Sequence, residues 1–174
     1  DVAALEKAAS LSGAELVSVQ ENPIDAAWAD RPDQPAALVV PYDVKYAGVA
    51  HDEKRADIGK ALKSDRLDAA IITSPASIAW AFNIRGGDVS CTPLPLGRAI
   101  LFADGSSELY LDEVKVTDDL RQHLGNGVTL RPLAQLEAGL AALKGKAVSL
   151  DPSVASAWFF DQLETAGADI VRQD

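Results

Sequence analysis

From residue 117 onward the chain switches repeatedly between two hydrophobic periods, and that alternation restricts the fold more than any other property of the sequence. Apolar residues recur at helical spacing over 117–124, 133–143 and 153–166, and each stretch is followed by a short β-type run, at 128–132, 147–150 and 168–172. Helices lying between strands imply crossovers that place the helices on the faces of a sheet. The same order appears upstream. Ile58, Ala61, Leu62 and Leu67 mark a helix over 52–67, the compact apolar run 68–73 suits a buried strand, and 75–82 reads as another helix. One segment departs from the pattern: 99–103 and 108–112 flank the turn Asp104-Gly-Ser-Ser107, and Asp-Gly is a hairpin signal. The sequence therefore predicts an α/β fold with a mixed β-sheet and helices on both faces. With 174 residues, 48% of them hydrophobic, it can bury a substantial core.

The N-terminus carries an orphan unit. Val2, Leu5, Ala8, Ala9 and Leu11 are spaced as on a helix over 1–12, Gly13 stands where a C-terminal cap belongs, and 14–19 alternates like a strand. The arrangement recurs at the other end, where Ala166-Gly-Ala-Asp-Ile-Val171 matches Ser12-Gly-Ala-Glu-Leu-Val17. Any helix-to-strand turn of an α/β protein could look like this; alternatively, the first unit is the tail of a preceding copy of a domain that closes with helix, Gly and strand. Between them, Pro23, Pro32, Pro35 and several Asx residues favour extended and turn conformations, so 22–35 reads as a linker, one that Ile24 and Trp28 let pack down. The chain has no methionine and begins at Asp1, and so reads as a segment of something longer.

A net charge of −10 and no Lys/Arg-rich run argue against nucleic acid and anionic membrane surfaces as partners. No apolar run approaches the roughly 18–20 residues of a membrane helix, and 1–16 lacks the apolar stretch of a signal peptide. Cys91 is the sole cysteine, so no intrachain disulfide forms and a cytoplasmic location is expected.

The usual handles of nucleotide, zinc and acyl-transfer chemistry are missing: no Gly-x-Gly-x-x-Gly, P-loop, Cys-x-x-Cys, His-Glu-x-x-His or Gly-x-Ser-x-Gly. His51 precedes a helix and reads as a residue near its N-cap; His123 suits the C-terminal end of a helix dipole. Neither is expected to act as a ligand or base. Asp118 and Asp119 fit a first helical turn, Asp112 and Glu113 a solvated strand end, and Asp151-Pro-Ser153 a turn and cap before the last helix. Asp25, Asp30, Asp33 and Asp88 complete the scattered carboxylates, which could serve a small hydrolase only by converging in a sheltered pocket.

The richest stretch is Ser77-Ile-Ala-Trp-Ala-Phe-Asn-Ile-Arg-Gly-Gly-Asp88, where a helical segment runs straight into a polar, glycine-containing turn. Two readings stay open. Trp80 is core, Asn83 bonds backbone and Arg85 pairs with Asp88 to stiffen the turn; or the Arg85 fork is presented to a carboxylate or a neighbouring domain. Trp80, Asn83, Arg85 and Asp88 are thus the candidate cleft or interdomain residues, with no catalytic or metal-binding residue assigned.

In series, Asn22-Pro-Ile-Asp-x-x-Trp-x-Asp-Arg-Pro32, Tyr46-Ala-Gly48 with Glu53-Lys54, Asp68-Ala, and Ile78-Ala-Trp-x-x-Asn-Ile-Arg-Gly-x-Asp-Val89 with Pro93 resemble the middle region of three-domain Xaa-Pro aminopeptidases. The resemblance implies a creatinase/prolidase N-terminal-like domain with a ribonuclease H-like motif over 36–174. Residues 1–35 would be the tail of a preceding homologous domain plus a linker, with the catalytic pita-bread domain outside this chain. It further implies a non-catalytic accessory role, shaping the entrance to an active site that removes the residue before proline from short peptides and contributing to homodimer association. Two divalent metal ions, usually manganese, would sit in the catalytic domain and none in this segment. The chain departs from the family at Ala50, where a hydroxyl cap is usual, so that His51 or Asp52 must cap, and at Leu94-Pro-Leu-Gly-Arg98, where aromatics are common. The alternative is a stand-alone α/β module that binds a small carboxylate ligand or another protein.

Overall fold

The computed structural model describes residues 2–17, 19 and 22–173 and divides into two compact units, Asp1–Gln34 and Pro35–Asp174. In the first unit, helix α1 (Val2–Leu11) ends in a left-handed Gly13 (φ 72°), with the amide of Ala14 donating to the carbonyl of Ala9 at 2.9 Å. The strand predicted over 14–19 does not form: residues 14–17 and 19 are irregular, and Ser18 lies outside the described residues. A strand exists only through its ladder. The linker also differs from its extended reading, since helix α2 (Pro23–Ala27) interrupts it; Gln20 and Glu21 lie outside the described residues. The Asn22 side chain caps α2 by accepting from the amide of Ile24 at 3.0 Å. Pro23 is tolerated there because a first-turn N–H has no intrahelical partner in any case.

The second unit is built on a six-stranded sheet. Its strands are β2 (Ala69–Ile72), β4 (Arg98–Phe102), β5 (Ser107–Leu111), β6 (Val128–Pro132), β7 (Ala147–Leu150) and β8 (Asp169–Arg172). The spatial order is β6-β5-β4-β2-β7-β8, with β4 alone antiparallel to its neighbours. The hairpin of β4 and β5 turns at Gly105 (φ 89°), as Asp-Gly predicts. Side chains alternate between two cores. Ala99, Leu101, Leu109 and Leu111 face one side with Ile78, Phe82, Leu120 and Leu124; Ile71, Ile100, Tyr110, Val148 and Leu150 face the other with Leu140, Phe159 and Leu163. Helices α4 (His51–Ser64), α5 (Pro75–Ala81) and α6 (Asp118–Leu124) supply the first layer, and α7 (Leu136–Ala141) and α8 (Ala157–Ala166) the second. The mixed sheet covered on both faces is the predicted architecture.

Three elements have no counterpart in the sequence reading: β1 (Val40–Pro41) and β3 (Ile84–Arg85), which pair antiparallel as a separate ribbon, and the one-turn helix α3 (Val44–Ala47). Their two- and four-residue lengths are too short to display a period. Other boundaries move for local reasons. Left-handed Arg66 (φ 61°) ends the α4 segment before Leu67, and Asp151 accepts from the amide of Ser153 at 2.7 Å, forming a turn so that α8 starts only at Ala157. Ser156, not Asp151 or Ser153, occupies the α8 N-cap position, without a side-chain cap bond. Likewise α4 is capped by neither His51 nor Asp52: Ala50 is its N-cap residue and offers no side-chain bond.

Helix α4 lies directly on the β4–β5 turn. A Cβ built on Gly59 would stand 2.9 Å from the Ala103 oxygen and 3.0 Å from the Gly105 nitrogen, both backbone atoms that cannot swing aside. Gly59→Ala is therefore expected to destabilise the chain by about 1–3 kcal/mol through overpacking, despite the better helix propensity of alanine, and thermal unfolding monitored by circular dichroism measures it.

Candidate functional site

The stretch singled out in the sequence folds into the end of α5 and the β1–β3 ribbon, and the structure separates its four residues into two kinds. Asn83 and Asp88 are buried, whereas Trp80 is 54% exposed and Arg85 half-buried. Trp80 is thus not core.

Asn83 takes a left-handed conformation (φ 48°), which Asn adopts more readily than other non-glycine residues, and this turns the chain from α5 into β3. Its side chain donates to the Val49 carbonyl at 2.9 Å and accepts from Lys54 Nζ at 2.7 Å. Lys54 is itself buried and meets no carboxylate among the described residues; Nζ also donates to the Trp80 carbonyl at 3.0 Å and lies 4.6 Å from the Trp80 ring centroid. Burial, reinforced by the Arg85 charge, pushes the Lys54 pKa below the ordinary lysine value. The lysine thus fixes the indole from beneath by one hydrogen bond to its backbone and a cation–π contact to its ring.

Arg85 does not pair with Asp88. Its guanidinium lies 3.9 Å from the centroid of the Tyr42 ring and donates to the carbonyls of Ala79 and Ile84. Asp88 instead forms a buried ion pair with Lys115 at 2.8 Å, both side chains being almost wholly inaccessible, and accepts from the amides of Leu96 and Ala37. Burial opposes its charge, yet the Lys115 ammonium and the two amides outweigh burial and hold the carboxyl below the usual carboxylate range.

His51 and His123, far apart in sequence, meet across α4 and α6 with ring centroids 4.7 Å apart. Arg55 Nη2 lies 3.3 Å from His51 Nδ1, and a guanidinium only donates, so Nδ1 accepts and Nε2 carries the proton that is donated to the His123 carbonyl at 3.0 Å. His123 Nε2 in turn donates to the Phe82 carbonyl at 3.0 Å. Burial, with the neighbouring His123 and Arg55, pushes the His51 pKa below the ordinary imidazole value. An open groove of about 640 Å³ runs past these groups, between Tyr42, Asn83 and the turn at Gly125–Gly127. Both nitrogens of His51 are engaged within the protein, so the ring offers no free lone pair as a general base.

Asp118 and Asp119 lie in the first turn of α6 behind the Thr117 cap, and the Asp112 side chain caps the 3-10 turn Glu113–Lys115. Among the described residues no three of His, Cys, Asp and Glu converge as a metal-binding set. The scattered carboxylates among the described residues do not converge on one pocket. Sequence reasoning missed Lys54, Arg55 and Lys115, whose charges suggest solvent. Only the absence of apolar residues at those helical and loop positions, which must contact the sheet, could have pointed to them.

These features define a class: a mixed-sheet α/β domain whose polar groups serve its own packing while an aromatic and a cation are held at the surface. The chain belongs to the Creatinase/Prolidase N-terminal domain family, whose description matches residues 30–174. It is 33% identical over 144 residues to a probable Xaa-Pro aminopeptidase P of Paracoccidioides brasiliensis, covering 82% of this chain and 23% of that protein. A second such protein, of Talaromyces stipitatus, is 34% identical over 136 residues, covering 78% and 20%. The chain thus spans less than a quarter of the length of these relatives. Among solved structures, the fold matches X-prolyl aminopeptidase from Caenorhabditis elegans, a cytosolic enzyme with a di-nuclear active site, with a TM-score of 0.85 and 21% identity over 99% of this chain and 29% of that one. It also matches the N-terminal domain of a metallopeptidase from Corynebacterium diphtheriae, with a TM-score of 0.52 and 17% identity, covering 71% of this chain and 95% of that domain. No described helix is long and apolar enough to cross a membrane.

Proposed function

We propose that this chain is a non-catalytic accessory domain of an Xaa-Pro aminopeptidase, and that the surface around Trp80 and Arg85 faces the catalytic domain or the entrance to its cleft. The observation that carries the reading is the exposed indole, fixed by a buried lysine in a chain that covers less than a quarter of the relatives described above. A tryptophan more than half exposed leaves a large apolar area in water, and such area is characteristic of contact surfaces. The neighbouring ribbon adds to it: Val40 pairs with Arg85, Tyr42 lies under the guanidinium, and the exposed Tyr46 stands beside Tyr42.

In this reading Asn83 and Asp88 are supports that set the loop, and Trp80 and Arg85 make the contact. The first unit is the tail of a preceding homologous domain with its connector. The matching helix endings support this, because Gly13 and Gly167 both close a helix in the left-handed region, each followed by an amide returning to the helix from Ala14 or Ala168. The two divalent metal ions, manganese in this reading, the short proline-containing peptides and the homodimer contact belong to the rest of the parent protein, in the cytoplasm.

The test uses the full-length parent. Trp80→Ala and Arg85→Ala are each expected to lower kcat/KM for an Xaa-Pro peptide at least about ten-fold, a loss of roughly 1.4 kcal/mol of transition-state stabilisation. The 174-residue chain should remain folded in both variants, and that chain alone, supplied with manganese, should cleave nothing. Unaltered kinetics in both variants, or cleavage by the isolated chain, would refute the assignment.

A further inference from the structure

β2 and β7 are adjacent parallel strands whose chains leave in opposite directions: β2 runs into α5 in the first core, β7 toward α8 in the second. At such a switch point no connection covers the gap beyond the strand ends, and open α/β sheets bind ligands there. A cavity of about 380 Å³ occupies this place. Thr73, one residue past β2, lines it; the residue is only 8% exposed, and its hydroxyl has no hydrogen-bond partner among the described residues. Buried hydroxyls are normally paired, and an orphan lining a cavity marks a place where a ligand group completes the bonding.

The lining specifies the ligand. Among the described residues its only charged lining groups are Asp65 and Asp151, with no lysine or arginine, and the chain as a whole is strongly acidic. Asp151 stands one residue past the end of β7, as Thr73 does past β2, and Ser149 adds a second buried hydroxyl. Ile58 and Leu62 of α4 form an apolar wall. We infer that this crevice binds a small aliphatic amine, its ammonium directed to Asp151 and the Thr73 hydroxyl and its alkyl body against α4. An anion would meet two carboxylates with no compensating cation. The site is separate from the Trp80 surface, so either proposal can fail without the other.

The experiment is an amide NMR titration of the 174-residue chain with n-butylammonium, n-butyrate and n-butanol. Butylammonium should give saturable shifts centred on the amides of Thr73, Ser149 and Asp151, butanol binding at least about five-fold more weakly and butyrate giving no saturable shift. Thr73→Val, which keeps the shape and removes the hydroxyl, should weaken the amine about five-fold, in keeping with one hydrogen bond, and Asp151→Asn should do so at least as strongly. The dispersion of each spectrum reports whether the variant folds; were Thr73→Val to unfold, Asp151→Asn decides. Absence of saturable shifts with the amine, equal response to butyrate, shifts centred elsewhere, or unaltered affinity in the folded variants would overturn the site.

Discussion

Replacing Asp88 with Ala is expected to lower the unfolding free energy by about 3–5 kcal/mol, because it leaves the Lys115 ammonium charged in a site almost closed to water. The same substitution removes the acceptor that holds the amides of Leu96 and Ala37, so the loop after β3 and the segment before β1 lose a common anchor. Urea titration measures the loss. The double variant Asp88→Ala, Lys115→Met should recover a large part of it, since two apolar groups in place of a buried pair are often tolerated. Failure of the second change to restore any stability would show that the amide bonds, rather than the stranded cation, dominate. The pair also sets an acid limit. The folded-state pKa of Asp88 lies below the unfolded value of about 3.9. Its stabilising contribution is therefore fully present above that value and is lost as pH falls through the lower, folded one. Asp88→Ala should flatten the dependence of stability on pH in that acidic window.

Arg55→Met should cost about 3 kcal/mol, the second large effect, since it strands three acceptors at once: the carbonyls of Gly105 and Gly127 and Nδ1 of His51. Methionine preserves much of the buried aliphatic stem, so the loss reports the guanidinium. A second readout separates the network from simple packing. With a charge removed from its surroundings, His51 should titrate at higher pH than in the parent chain, followed through its ring carbon protons by NMR. In the parent, the folded pKa of His51 lies below its unfolded value, so the folded state binds fewer protons. Stability accordingly declines as pH drops below the ordinary imidazole value of about 6.5. The variant should show a weaker decline over that interval.

The elements that repeat over many residues were legible before any coordinates. β2, the β4–β5 hairpin and the alternation from α6 to β8 follow from the period and from Asp104-Gly105, both of which act locally. The ribbon of β1 and β3 was not legible, because Val40 meets Arg85 only after α4, β2 and α5 have been placed. In the candidate site the sequence singled out the stretch 77–88 but left the roles of its residues open. Of the two readings left open for Trp80, the core one fails because the side chain lies outside, while Lys54 and Lys115, for which the sequence suggested no role, lie inside. The two buried lysines have one explanation. The partners that make a buried cation tolerable, Asn83 with the Trp80 carbonyl in one case and Asp88 in the other, come from distant segments, and spacing along a single element cannot disclose them.

The strand order imposes a schedule on folding. β4, β5 and β6 follow β2 in the chain and can join it as a four-stranded sheet, but the other side of β2 is completed only when Ala147–Leu150 arrives. At ribosomal speeds that interval lasts several seconds. Throughout it the Ala69–Ile72 backbone is an open, apolar edge, the kind of template on which nascent chains associate with one another. A chaperone that shields this strand during synthesis should raise the soluble yield more than one acting after the chain is released.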